Sequence, residues 1–154
     1  MKLNNLLALS LVVCLANTSW SREKISFSKR KIWVGTHELI VEVADTHKKI
    51  QRGLMYRTTP LRDNEGMLFI FNNVQMRRFW MKNTFIPLSI GFFNGEKELV
   101  HTRIMKPVRS EMENPETYPS KYPAKYVLEV APGWFARKKI QKRQKGKKGA
   151  QLRL

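Results

Sequence analysis

Five consecutive large apolar residues, Met67-Leu68-Phe69-Ile70-Phe71, stand between a turn-forming cluster, Asp63-Asn64-Glu65-Gly66, and a polar stretch from Asn72 to Arg78. A run this short and so bounded is the mark of a strand buried on both faces, which requires a sheet with packed material on either side. The neighbouring segments agree. Leu39, Val41 and Val43 alternate with Ile40, Glu42 and Ala44, the period of a half-buried strand. Lys31–Val34 and Leu39–Ala44 read as two strands joined by a turn near Gly35. Asp45 and Thr46 are good N-caps, and Ile50 and Leu54 fall four apart on one face of a helix running to about Tyr56. His47, Lys48 and Lys49 set cations against the dipole in its first turn, so packing must hold that helix. Phe85 to Phe93 is strand-like, with Pro87 marking an edge or a bulge. Asn94-Gly95 is a hairpin turn and Leu99–Met105 its return strand.

Pro107 to Pro123 holds four prolines and little periodicity, so it reads as a long surface loop. Lys125–Val130 is the last clear strand, broken by Pro132-Gly133, and Trp134 to Ile140 forms a short helix. From Gln141 onward high charge, several glycines and the lack of core residues read as disorder. The fold class expected is mainly β: a compact barrel-like or sandwich domain with one or two short helices. No βαβ alternation supports a doubly wound parallel sheet.

The N-terminus has the order of an export signal. Lys2 gives a positive start, Leu6–Ala16 is an apolar run too short to span a bilayer, and Ser19 and Ser21 place small residues before a cleavage point after Ser21. A buried N-terminal helix, or a lipoprotein anchored through Cys14, are the alternatives. Val13 stands where a lipoprotein signal carries a small residue. The domain plan is a signal at 1–21, one β-rich domain at 22–140 and a basic tail at 141–154. Cys14 is the one cysteine, so cleavage leaves a mature chain with no thiol or disulfide. The formal charge of +17 is uneven: residues 137–154 carry nine basic side chains and no acidic one.

Four blocks recur together: Arg52-Gly53-Leu54-Met55; Glu65-Gly66-Met67-Leu68-Phe69; Phe79-Trp80-Met81-Lys82-Asn83-Thr84 with Ile86-Pro87-Leu88; and Pro123-Ala124 with Tyr126-Val127-Leu128-Glu129. In this order and spacing the chain resembles domain-of-unknown-function family 192 over about Ile32 to Ile140. The resemblance implies a compact β-barrel-like or sandwich domain with one short helix, frequently exported, and it implies no established activity. Two departures accompany it. Ser89 occupies the position after Pro-Leu where the family usually has aspartate, and Ile140 runs into Gln141-Lys142-Arg143 where the family tends to close with an apolar residue, glycine and aspartate.

No complete catalytic constellation is visible. His37, His47 and His101 show no metal-ligand spacing, and no Gly-x-Ser-x-Gly elbow or phosphate-cradling glycine loop occurs. Met55, Met67, Met76, Met81 and Met105 offer thioethers of the kind that bind Cu(I), but methionine is far more often core filler. Glu65 and Glu129 are acids inside the family-like blocks, either as a carboxylate pair or carboxylate–Arg52 contact lining a cleft, or as ion pairs of the fold, Glu129 with Lys82 or Arg52. Trp80 to Thr84 mixes an aromatic, a cation, an amide and a hydroxyl, as a pocket wall does. The competing view buries Trp80 and gives Asn83 and Thr84 to a turn.

The candidate ligand-binding residues are therefore Arg52, Glu65, Trp80, Lys82, Asn83, Thr84 and Glu129, with no metal site and no cofactor expected. The function expected is that of an exported domain, periplasmic or secreted and monomeric, binding a small ligand, envelope polymer or protein partner without catalysis. One alternative is a hydrolase-like envelope enzyme using Glu65, Glu129, Arg52 and Lys82. Another is a purely structural domain. The tail lacks aromatic stacking platforms, which disfavours nucleic acid. Anionic membrane surfaces or polymers are its expected counterparts.

Overall fold

The computed structural model describes residues 25–154. The expected signal at 1–21, its cleavage point and Cys14 lie outside them. The elements are β1 (Ser28–Val34), β2 (His37–Ala44), α1 (His47–Arg52), β3 (Glu65–Gln75), β4 (Arg78–Trp80), β5 (Leu88–Phe93), β6 (Leu99–Met105), β7 (Thr117–Pro119), β8 (Ala124–Val130), α2 (Trp134–Arg137) and β9 (Leu152–Arg153). Seven strands form one curled half-barrel sheet in the order β6-β5-β8-β3-β2-β1-β9, and β4 with β7 forms a separate two-stranded ribbon. Of the two architectures expected, the barrel-like one is realised.

Most neighbours run antiparallel, but β2 and β3 pair in parallel, Val41 opposite Gly66 and Val43 opposite Leu68. A parallel pair needs a crossover, and α1 supplies it. The chain thus contains one βαβ unit inside an otherwise antiparallel sheet. Thr46 caps α1 by accepting from the Lys49 amide, and Asp45 pairs with the Lys49 ammonium at 3.4 Å. The helix ends four residues before Tyr56 because Gly53 turns away with φ +46°, its Cα lying close enough to the Phe69 ring that an added Cβ would sit 3.4 Å from it.

The alternation of side chains divides the core in two. Met67, Phe69, Ile90, Phe92 and Val127 pack on one face beneath α1 and the β4–β7 ribbon. Leu39, Val41, Leu68, Leu128, Val130, Trp134 and Phe135 fill the other. The strand at Met67 is covered on both sides, as its apolar run requires, and Met67, Met81 and Met105 are core filler. β3 continues past the expected limit through Asn72–Gln75, where its side chains are exposed and the pairing with β8 slips between Ile70 and Gln75. Polar residues suit a strand that leaves the sheet this way. Inside the expected 107–123 loop, β7 forms because Tyr118 has a partner: it is buried, its hydroxyl accepts from the Lys106 amide at 2.9 Å, and β4 pairs alongside.

The expectation of disorder from Gln141 onward does not hold in the structure. Val34 pairs with Leu152 and Trp33 with Arg153, so β9 extends the sheet beyond β1. Leu152 is 1% exposed, within the same cluster as Trp134. Across the opening, the Leu99 amide donates to the Ala150 carbonyl, Leu152 to that of Lys97, and Arg143 to that of Leu99. The C-terminal segment therefore bonds to both outermost strands of the sheet, β1 and β6. It approaches so closely that a Cβ on Gly149 would lie 2.3 Å from the Leu99 carbonyl oxygen. The Arg143 guanidinium completes the seam, 2.9 Å from the largely buried Glu98 carboxylate.

Candidate functional site

Glu129 follows Leu128 on β8 and so projects to the same face as Val127, toward α1 and the ribbon. Its strand neighbours are Met67 and Ile90, both apolar. The side chain is 4% exposed and, among the described residues, makes no hydrogen bond or ion pair. Burial pushes its carboxyl up to about 8, with no charged neighbour contributing, so it is protonated at neutral pH.

This carboxyl lines a cleft of about 310 Å³. Phe69, Phe71 and Phe79 supply aromatic surface; the Phe79 ring meets Phe69 edge-to-face at 5.0 Å and Phe71 at 6.3 Å. The α1 side contributes Ile50 to Met55. The outer rim is basic, with Arg52, Arg78 and Lys82 beside Trp80. The Arg52 guanidinium lies 4.8 Å from the centre of the Tyr56 ring and the Lys82 ammonium 5.4 Å from that of Trp80. A shallower depression of about 370 Å³ adjoins it, sharing Arg52, Met55, Trp80 and Lys82 and adding Tyr56 and Asn83.

Five of the seven residues anticipated from sequence, Arg52, Trp80, Lys82, Thr84 and Glu129, line the cleft, and Asn83 lines the depression beside it. Trp80 is 48% exposed, which overturns its placement in the core. Asn83 adopts φ +52°, tolerated by asparagine better than by most residues. Its Nδ2 donates to the Tyr56 hydroxyl at 2.7 Å, its carbonyl accepts from the Tyr56 amide at 2.6 Å, and its buried Oδ1 has no partner. Thr84 closes the turn by donating to the Lys82 carbonyl at 3.2 Å.

Glu65 lies elsewhere. It sits by a separate small hollow with Lys29, Glu42 and Arg57, and Arg62 holds it through contacts at 2.9 and 2.5 Å that keep its carboxyl below the usual range. The expected pairing of Glu65 with Glu129 is therefore not formed, and neither is the expected ion pair of Glu129 with Lys82 or Arg52. The first follows from the register: Glu65 stands two residues before Met67, which is the β3 residue opposite Glu129.

Sequence reasoning missed Phe69, Phe71, Met55 and Arg77 as cleft residues. Arg77 fell in a presumed loop, yet its guanidinium is buried over the Phe71 ring at 3.8 Å, donates to the Ala124 carbonyl at 3.0 Å and also grips Asn73. That side chain pins the end of β3 to the start of β8 and leaves the ligand side of the cleft to Arg52, Arg78 and Lys82. Nothing in the run Met76-Arg77-Arg78-Phe79-Trp80 tells the buried arginine from its exposed neighbour. Ser89, at the usual aspartate position, is buried and accepts from the Gly133 amide at 2.8 Å, fixing the turn into α2 on the opposite face from the cleft.

The family model described as Uncharacterized ACR, domain of unknown function 192, matches residues 30–147. Among solved structures, a Sinorhizobium meliloti protein described as a candidate transcription regulator is similar, with a TM-score of 0.69 and 29% identity over 84% of this chain and 95% of that one. A protein of unknown function from Novosphingobium aromaticivorans aligns with a TM-score of 0.67 and 32% identity over 82% of this chain and 85% of that one. No curated protein matches.

Proposed function

The chain belongs to domain-of-unknown-function family 192, and from the cleft of this member we propose that it is an exported domain that binds a small ligand without transforming it. The observation that carries this reading is Glu129: a buried, unpartnered carboxyl opening into an aromatic-lined cavity. Buried polar groups are ordinarily hydrogen-bonded, so one left unpaired at the floor of a cleft is a group kept for something that enters. An apolar cavity with few convergent polar groups is the usual form of a small-molecule site.

Binding is preferred to catalysis because the cleft lining contains one carboxyl and no histidine, serine or cysteine, while its hydroxyl, Thr84, is spent on the Lys82 carbonyl. Proton transfer in a hydrolase needs a second group within reach, and Glu65 is not there. The enzyme alternative keeps one point in its favour, the raised proton affinity of Glu129, a trait shared by general acids.

Protein-observed amide correlation NMR with a library of small aromatic fragments is expected to give hits that shift the resonances of Phe79, Thr84 and Trp80. Met55→Trp, which fills the cleft from the α1 side, should abolish those hits while leaving the melting temperature within a few degrees. Hits that survive Met55→Trp, or that map away from the cleft, would sink the proposal.

A further inference from the structure

Resting on that reading of the cleft, we propose that its ligand is an organic anion with a flat apolar body, held by Arg52 and Lys82 at its charged end and by Phe79 and Trp80 along its body.

The sign of the ligand follows from a count of charges that face the cavity. Arg52, Arg78 and Lys82 line it, and among the described residues none of the three meets a carboxylate. Among the remaining described cations, Lys31, Lys49, Arg57, Arg62, Arg137, Lys138 and Arg143 each have an acidic partner. Arg52 and Lys82 rest on aromatic rings, as Lys97 and Arg103 do elsewhere, but these two line the cavity, and the ring contact leaves their N–H donors uncommitted to any acid. The one acid of the cleft carries no charge at neutral pH, because burial keeps its proton on. A protonated carboxyl donates as well as accepts. Glu129 is thus suited to meet an acceptor oxygen on the ligand, and a cation entering the cleft would find four like charges, Arg52, Arg77, Arg78 and Lys82, and no anion.

The shape of the ligand follows from the lining. The Phe79 ring is fixed edge-to-face against Phe69, Phe71 and Phe92, at 5.0, 6.3 and 6.0 Å. A ring so braced offers a flat surface at little entropic cost. Trp80 stands beside it in β4, half-exposed with Lys82 over its face. About 310 Å³ lies at the lower end of small-molecule sites, the size of a one- or two-ring compound.

Three probes of one size separate charge from shape: benzoate, benzyl alcohol and benzylammonium, each titrated into the protein at about 0.15 M salt and followed by the Trp80 and Thr84 amide resonances. Benzoate is expected to bind at least about tenfold more tightly than benzyl alcohol, and benzylammonium not at all. The double variant Arg52→Gln, Lys82→Gln should erase the advantage of benzoate while leaving benzyl alcohol unchanged, an effect that a merely unfolded variant would not give. Equal binding of benzoate and benzyl alcohol, or preference for benzylammonium, overturns the anion assignment but leaves the cleft as a site. If none of the three moves a cleft resonance, both the assignment and the binding reading fall.

Discussion

Glu129 holds its proton because Met67 and Ile90 flank it on adjacent strands and no donor reaches it. Its folded-state pKa of about 8 lies above the 4.5 of an ordinary glutamate in the unfolded chain. Between those two values the folded state binds one proton more than the unfolded state, so stability is fullest below about pH 4.5 and is lost as pH rises through about 8. The decline from this one group can reach about 1.4 kcal/mol per pH unit. Glu129→Gln keeps the shape and removes the proton, so urea denaturation at pH 5, 6, 7 and 8 should show a slope in the parent that is flattened in the variant. Parallel slopes would mean that Glu129 is ionised in the fold. The residue itself was visible in sequence as the acid closing Tyr126-Val127-Leu128-Glu129. Its isolation was not, because Met67 lies 62 positions away and Ile90 lies 39 away along the chain, and only strand pairing brings them beside it. Ser89 shows the same limit. It stands where the family usually has an acid, and its hydroxyl accepts one backbone N–H in a turn, a task open to any short oxygen acceptor.

Elements whose apolar residues cluster were legible, and elements with a single apolar residue were not. β2, β5, β6 and β8 announce themselves through runs or alternation, and α1 through a cap and the Ile50–Leu54 spacing. β7 depends on Tyr118 alone and β9 on Leu152 alone, each set in polar sequence, so their burial is decided by distant partners. Composition identified the charge of the tail correctly and misjudged its order, since one leucine docking in a preformed apolar site outweighs many solvated lysines. Leu152→Ala should therefore cost about 3 kcal/mol in urea denaturation, within the range for a buried leucine. Lys145, Lys147 and Lys148, all exposed around the Gln144–Lys147 turn, are separable from that role. Replacing the three with glutamine should leave the unfolding midpoint unchanged and weaken binding to phosphatidylglycerol vesicles with a shallower salt dependence. A large stability loss from the lysine variant, or none from Leu152→Ala, would reverse this assignment.

At the scale of the whole molecule, one sheet carries two cores on its opposite faces, with the cleft on the α1 side and α2 with the closing segment on the other. Among the described residues no helix is long and apolar enough to cross a membrane. The proposed export belongs to this scale because a compartment decides which anions a chain meets. Envelope fractions of the native host are expected to yield protein beginning at Arg22, determined by N-terminal sequencing, and material that still begins at Met1 in the cytosol would refute it. The route from sequence to architecture was short for the barrel-like sheet and longer for the parallel β2–β3 pair, because a six-residue helix is a small clue to a crossover.

The two hydrogen-bonded seams made by residues 141–153 join β1 to β6, which are otherwise the first and last full-length strands of an open sheet. Much of β1 already carries Lys29, Arg30 and Lys31 on exposed positions, a guard against intermolecular pairing. Trp33 and Val34 are held by Leu152 and Arg153, and Leu99 by Ala150 and Arg143. A cut in the lysine-rich turn would leave Arg143 on Leu99 but make the strand holding β1 a separate peptide, tied to the rest by hydrogen bonds and Leu152 alone. Continuity of the 141–153 segment thus keeps both flanks of the sheet occupied from within one molecule, which is the arrangement that denies a second copy a free edge.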